Sequence, residues 1–222
     1  MKTLPSLLAV LALLSGCSRP EPLLLGEVAL PYEIVDQATK DLQVAYPNFG
    51  KETLQNHLLQ FGLAQGALLH AALPAESEAA AAKAQAYADA LEDGEPFLLA
   101  FHRWCEAENM PKEADASAKP HPSDLGAAAA AAVAVLEPGS WTGPLRTLYG
   151  WEILYLDHRD PDVPRNRAHV TLYRLQFPIG TAEDHQRVEQ TWATLTFGGN
   201  PELIQALPPS MRQGRVQQDP TE

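Results

Sequence analysis

The segment from Leu136 to Leu156 constrains the fold of this chain more than any other part of the sequence. Pro138-Gly139 is typical of a tight turn, and Gly143-Pro144 favours the entry to a strand, since proline has no N–H to give to a strand ladder. Gly150 stands where a second tight turn can join two strands. Residues 151 to 156 then alternate Trp, Ile and Tyr with Glu, Leu and Leu, as in a strand. The segment therefore predicts a small, mainly antiparallel sheet.

Helical spacing of apolar residues dominates the chain before this segment. It predicts one helix within residues 31 to 46 and a second within residues 51 to 73, each bounded by a proline. Further helices are predicted for residues 76 to 91, 96 to 109 and the alanine run 127 to 134, because alanine has the highest helix propensity. The sequence thus predicts an N-terminal helical part that leads into the sheet.

The residues after the sheet segment predict one more strand and one more helix. Residues 169 to 177 are β-branched and aromatic, which favours a strand. Thr181 to Asp184 resembles a capping box, which opens a helix carrying Val188, Trp192 and Leu195. From Gly198 onward proline, glycine and glutamine predict a mobile tail. The whole pattern indicates an α+β fold with helices packed on a small antiparallel sheet.

Charge and histidine spacing exclude two classes of function. Lys and Arg number 16 against 28 Asp and Glu, which leaves a formal charge of -12. Nucleic-acid binding depends on cations that neutralise phosphates, so we expect no nucleic-acid partner. The seven histidines lack the spacing of a zinc site, and no phosphate loop or nucleophile motif is present. We therefore predict no metal and no other cofactor.

The first residues of the chain resemble a bacterial lipoprotein signal. One positive charge at Lys2 precedes an apolar run from Leu4 to Leu14, and the run ends in Leu14-Ser15-Gly16-Cys17. About 20 apolar residues are needed to span a bilayer, so this run favours export and cleavage over a permanent helix. The resemblance implies lipidation of Cys17, membrane attachment through that lipid, and, with Ser18 next, a periplasm-facing lipoprotein of the bacterial outer membrane. The alternative is an ordinary secretory signal.

Three segments resemble the parvulin-type peptidyl-prolyl isomerases. The first is Leu136 to Leu156, with its Gly-Pro and Gly-aromatic positions; the second is Asp93 to Ala100; the third is Asp115 to Lys119 followed by Asp124-Leu125-Gly126. Residues 25 to 73 are similar to the N-terminal helices of periplasmic foldases that carry a parvulin domain. The resemblance implies the following division: signal peptide 1–16, tether 17–23, helical chaperone-like module 24–74, divergent parvulin-like domain 75–159, additional strand and helix 160–197, tail 198–222.

The resemblance also indicates a site, although the chain departs from the family at its histidines. Parvulins use two histidines, a Cys or Asp, and an apolar pocket. Glu152 stands where the second histidine belongs and Ala116 where the Cys or Asp belongs, while Leu125 matches the pocket leucine. Trp151 and Phe101 are the other candidate substrate-binding residues, and Glu152 with His169 are the candidate catalytic residues.

His169 has two possible origins in this scheme. Arg167 to Leu172 resembles the first strand of a parvulin but follows the last one. It could pair with the sheet as a permuted replacement, in which case His169 would take the place of the first histidine. It could instead begin a second, truncated unit within residues 160 to 197.

The sequence favours a foldase or chaperone that binds unfolded or proline-containing polypeptides, with isomerase activity weak or lost. One alternative is an active peptidyl-prolyl cis-trans isomerase with a pocket rebuilt around Leu125, Trp151 and His169. Another is an assembly adaptor lipoprotein with a single dedicated partner.

Overall fold

A computed structural model describes residues 20–110, 125–165 and 169–212. The helices are α1 Tyr32–Ala45, α2 Lys51–Leu58, α3 Ala64–Ala72, α4 Pro74–Glu92, α5 Phe97–Ala107, α6 Ala127–Val135, α7 Ala182–Thr194, α8 Pro201–Ala206 and α9 Pro209–Arg212. The strands are β1 Leu23–Leu25, β2 Val28–Leu30, β3 Ser140–Trp141, β4 Leu145–Thr147, β5 Gly150–Arg159, β6 Val170–Pro178 and β7 Phe197–Gly199. A short π-helical segment, Leu59–Leu63, joins α2 to α3.

The main sheet is built around β5, and all of its pairings are antiparallel. Strand β6 pairs with β5 along almost its whole length, from Gly150 opposite Pro178 to Arg159 opposite Val170. Strands β4 and β3 pair in succession with the other edge of β5. The sheet and its helices confirm the α+β class. Strand β6 extends this sheet, as expected from the alternative in which residues 169–177 pair with the sheet.

Each face of this sheet is covered by helices. On one face the buried side chains of β5 and β6, such as Leu154 and Leu172, pack against α6 and α2. On the other face Ile153 and Leu175 pack against the aromatic side chains of α4 and α5. Residues on one strand alternate between faces, so the sequence alternation in β5 sorts directly into these two cores. The helical module and the sheet therefore form continuous packing.

Helix α6 carries almost only alanine and is nevertheless largely buried. Its small side chains allow neighbours to approach closely: a Cβ on Gly62 of the π-helical segment would lie 3.1 Å from Ala127 Cβ. Arg159, at the end of β5, donates from Nη2 to the carbonyl oxygens of Val133 and Leu136. These bonds satisfy backbone acceptors that a helix C-terminus leaves without partners. Helix α6 is thus fixed against the sheet at its C-terminal end.

A second, three-stranded sheet joins the two ends of the described chain. Strand β1 pairs antiparallel with both β2 and β7 in the order β2-β1-β7. The prediction of a tail from Gly198 is therefore wrong for residues 198–212, which form part of β7 and helices α8 and α9. Asn200 caps α8 by accepting from the Leu203 N–H, and Leu203 is fully buried. Local composition predicted a tail because the partner strand lies at the other end of the sequence.

Within the described ranges, no single helix has both the length and the apolar character needed to cross a bilayer. The segments Lys51–Ala72 and Pro74–Glu92 meet the criterion only as a pair, across a bend of 110°.

Candidate functional site

A cavity of about 400 Å³ opens at one end of the main sheet. Its floor comes from the neighbouring ends of β5 and β6, one wall from the first turn of α6, and another from the residues that link β4 to β5. The π-helical segment Leu59–Leu63 contributes the remaining side through Phe61 and Gly62. The helical module and the sheet thus build this cavity together.

Three polar side chains occupy the floor of the cavity. Glu152 pairs with Gln176 in the β5–β6 register, and Arg174 lies two residues from Gln176 on the same face. Arg174 Nη2 donates to both Glu152 oxygens, at 2.9 and 3.0 Å, and Gln176 Nε2 donates to Glu152 Oε1 at 3.3 Å. Glu152 is only 6% exposed, and the positive charge of Arg174 compensates its negative charge. The floor is therefore polar and carries no net charge.

The walls of the cavity are mainly apolar. Ala127 and Ala129 of α6 are buried and have no side chain beyond Cβ, which leaves space above the floor. Two aromatic rings stand at the opening, Phe61 and Tyr149, and each is 55% exposed. Aromatic rings exposed beside an apolar cavity are suited to contact a ligand rather than to build the core.

The β4–β5 hairpin that forms one wall is tightly fitted. Gly150 has φ +146°, and a Cβ there would lie 2.2 Å from the carbonyl oxygen of Phe177. Gly66 of α3 packs against the hairpin from behind, since a Cβ on it would lie 3.0 Å from Thr147 O. The predicted turn at Gly150 is thus present, and only glycine fits it.

His70 of α3 supports the same hairpin from behind the cavity. Its Nε2 lies 3.1 Å from the carbonyl oxygen of Thr147 and its Nδ1 lies 2.6 Å from Ser77 Oγ. Because the carbonyl can only accept, Nε2 carries the proton and Nδ1 accepts from the serine hydroxyl. Burial, reinforced by the nearby positive charge of Arg146, lowers the pKa of His70 to about 4. Trp151 completes the group, with its ring edge-on to His70 and its indole N–H donating to Ser77 O at 3.1 Å.

The structure brings together only part of the site expected from sequence. Glu152 and Trp151 both line the cavity. Leu125 is buried in the core that includes α6, directly before the cavity residue Gly126. Phe101 is buried among the aromatic side chains on the other face of the sheet. The prediction that it contacts substrate is therefore wrong.

His169 is also not beside Glu152, contrary to the pocket expected from sequence. It directly precedes Val170, which pairs with Arg159 at the far end of β5. Along β5, Arg159 is seven residues from Glu152, which is roughly 23 Å at about 3.3 Å per residue. The residue of β6 that pairs with Glu152 is Gln176. Strand β6 joins the sheet, but its register places Gln176 and Arg174 at the cavity. Cys17 and Ala116 lie outside the described residues.

Sequence analysis missed Arg174, Gln176, Phe61 and His70. The sequence did contain a signal for Arg174 and Gln176. They are two residues apart in a predicted strand that is otherwise mainly apolar, so their side chains lie on the same face of the sheet. Phe61 fits the apolar stripe of a regular helix, and only the π-helical segment turns it outward.

The cavity combines hydrogen-bonding groups on its floor with mainly apolar walls. Proline isomerisation needs neither a nucleophile nor a metal, only a site that favours the twisted amide over the planar one. The described residues contain no group of three or more His, Cys, Asp or Glu arranged to hold a metal. Such a cavity is suited to hold an apolar side chain while its floor contacts the peptide backbone.

Comparison with known proteins identifies the family. No curated protein and no solved structure matches this chain. The sequence profile of the PPIC-type PPIASE domain, a class of peptidyl-prolyl cis-trans isomerases, matches residues 54–170. This match covers just over half of the 222 residues and runs from within α2 to Val170, the first residue of β6, so that it includes Glu152 and the first turn of α6. The chain therefore belongs to the PPIC-type, or parvulin, family of peptidyl-prolyl isomerase domains.

Proposed function

We propose that this protein is a membrane-anchored, periplasm-facing foldase that binds exported polypeptides and has weak or no isomerase activity. The observation that carries the proposal is the cavity above Glu152. Glu152 stands where the family's second histidine is expected, and it forms an ion pair with Arg174 on the floor, below apolar walls and exposed rings. In this proposal the apolar walls bind the polypeptide, whereas isomerase activity would depend on the polar side chains of the floor.

The ion pair gives a physical reason for low isomerase activity. Catalysis requires groups that interact more strongly with the twisted imide than with the planar one. Both oxygens of Glu152 already accept from Arg174, and Gln176 also donates to Oε1. Separating a buried ion pair to serve a substrate leaves an uncompensated charge, which costs several kcal/mol. The floor is therefore suited to hold a peptide in one conformation rather than to lower the barrier between two.

The proposed location is supported by the sequence of the leader and by the position of β1. Lipidation of Cys17 would place the anchor shortly before Leu23. Leu23 is the first residue of β1, and its side chain is fully buried. Two or more acyl chains give stable attachment to a bilayer. The foldase would then act close to the outer-membrane surface, on chains that have just been exported.

The decisive experiment measures binding and isomerisation with the same purified full-length chain. Fluorescence anisotropy with a labelled proline-containing peptide is expected to show saturable binding. A protease-coupled assay on a proline peptide is expected to show little or no acceleration above the uncatalysed rate. The matched control for binding is Leu99→Ala, which removes an exposed apolar side chain on the far side of the sheet, whereas Phe61→Ala removes one at the cavity.

The outcomes separate the functions. Binding that is weakened by Phe61→Ala and not by Leu99→Ala supports the foldase. Rapid isomerisation by the unmodified chain would establish the active-isomerase alternative instead, and absence of peptide binding would refute the proposal. Mass spectrometry of the N-terminal peptide tests the anchor. The chain without substitutions is expected to carry acyl groups on Cys17, and Cys17→Ser is expected to release the protein from membranes.

A further inference from the structure

A second cavity of about 210 Å³ lies beside the first, between α1 and α2. Tyr46 and Phe49, at and after the end of α1, form one side, and Thr53 and His57 of α2 form the other. Ala130 of α6 contributes to its lining. Phe49 is 51% exposed, and its ring meets Tyr46 edge-on with centroids 5.9 Å apart. Like the first cavity, this one has exposed aromatic carbon at its opening.

The rings of His57 and Phe61 lie between the two cavities. His57 of α2 lines the second cavity, Phe61 of the π-helical segment lines the first, and their ring centroids are 5.2 Å apart. On the opposite side, the consecutive residues Ala129 and Ala130 of α6 line the first and the second cavity respectively. Phe61 has φ -111° and ψ 20°, which is not helical. This departure belongs to the π-helical segment, a feature that frequently marks functional positions.

The second cavity is electrically neutral although the protein carries a formal charge of -12. Its described lining contains no Asp, Glu, Lys or Arg. Burial lowers the pKa of His57 and raises the pKa of Tyr46, so both side chains are uncharged near pH 7. A charged side chain would lose hydration there without gaining a partner, whereas an apolar side chain would not. The chemistry of the lining therefore selects large uncharged side chains.

We propose that the second cavity binds a large apolar side chain of the same polypeptide whose proline occupies the first cavity. The inference rests on the proposed function and adds to it a sequence preference. The rings of His57 and Phe61, which line the second and the first cavity, have centroids 5.2 Å apart. In an extended peptide, side chains that point to the same side are two residues apart, which is about 6.6 Å. The preferred segment therefore has a large apolar residue two positions from its proline, with Phe61 between the two side chains.

Binding of matched peptides to the full-length chain tests this spacing. Peptides with Phe two positions before proline, and two positions after it, are compared with peptides in which that Phe is Ala or is moved next to proline. Burying one aromatic side chain predicts about tenfold tighter binding for at least one of the two spaced peptides. A Phe next to proline points to the other side and is expected to give no gain.

A variant that fills the second cavity provides an independent measurement. Thr53 is exposed at its lining, so Thr53→Phe occupies the space with no change in charge. It is expected to remove the tenfold difference between the Phe and Ala peptides while the Ala peptide binds as before. The control, Gln85→Phe, adds the same bulk to an exposed position of α4 and is expected to change neither affinity.

Each result separates this inference from the proposed function. If spaced Phe and Ala peptides bind equally well to the unmodified chain, the second cavity is not a subsite, and the foldase proposal stands. If a gain is seen and Thr53→Phe leaves it intact, the gain arises elsewhere and the inference is refuted. If no peptide binds, the proposed function fails, and this inference fails with it.

Discussion

Replacing His70 with glutamine is expected to reduce the loss of stability that the protein suffers on mild acidification. His70 is 4% exposed, and each ring nitrogen has one partner, Ser77 Oγ or Thr147 O. A second proton on the ring would have to sit on Nδ1, where it would displace the hydrogen bond that the serine donates. It would also place a positive charge beside Arg146, which already lowers the pKa of His70 together with burial. The folded protein therefore resists protonation of His70 and the unfolded chain does not.

The size and the pH range follow from the two pKa values. The pKa is 6.5 in an unperturbed histidine and about 4 in the folded protein. A folded pKa below the unfolded one means that the stabilisation is complete above pH 6.5 and is lost as the pH falls toward 4. At about 1.4 kcal/mol for each pH unit of difference, the upper limit is about 3.5 kcal/mol. Solvent screening near the exposed Arg146 reduces this to about 2 kcal/mol.

Urea denaturation at pH 7, 5.5 and 4 measures the effect. Glutamine can donate to Thr147 O and accept from Ser77 Oγ, and it does not titrate, so His70→Gln is expected to lose about 2 kcal/mol less than the unmodified chain between pH 7 and 4. His102→Gln, at an exposed position of α5, is the matched control and is expected to follow the unmodified chain. Carboxylates such as Asp36 contribute equally to all three proteins and cancel. Equal losses in the unmodified chain and His70→Gln would refute the assignment of the pH dependence to His70.

Three further substitutions test the hairpin, the floor and a helix cap. Gly150→Ala would place a Cβ 2.2 Å from Phe177 O at a positive φ, so thermal unfolding is expected to show a loss of about 3 kcal/mol or more; a loss below 1 kcal/mol would contradict the tight fit. Glu152→Ala leaves Arg174 uncompensated and is expected to destabilise by about 2 kcal/mol in urea, with Glu152→Gln losing less because it still accepts a hydrogen bond. Thr181→Ala removes the two hydrogen bonds between the Thr181 hydroxyl and Asp184 and keeps the bond from the Thr181 N–H to Asp184 Oδ2. Calorimetry is expected to show a loss of about 1 kcal/mol, and no change would exclude a stabilising cap.

Local signals in the sequence predicted most of the elements. Proline at positions 31 and 47 bounded a helix that the structure places at Tyr32–Ala45, and the capping box at Thr181 begins α7 at Ala182. The alanine run was predicted as a short helix and forms α6. These elements are determined by residues within one or two turns of each other, so propensity and capping suffice.

Features that depend on distant pairing could not be predicted. The β5–β6 register decides that Gln176, and not His169, is opposite Glu152, and register is fixed by which face of β6 is buried. Likewise, β7 is only three residues long and contains two glycines, so it has almost no strand propensity of its own. Its pairing with β1 determines its conformation. The turns and Glu152 were visible in sequence, whereas Arg174 and Gln176, which donate to Glu152 across the β5–β6 pairing, were not.

The pairing of β1 with β7 has a consequence for how the protein matures. Leu23 and Leu25 are fully or almost fully buried, yet β7, with which they pair, follows more than 170 residues later in the sequence. Closing so long a loop carries an entropic cost and slows folding. The β1–β2 hairpin consequently has its leucines incompletely covered until β7 has been synthesised. A foldase of this design would itself depend, during that interval, on protection from aggregation.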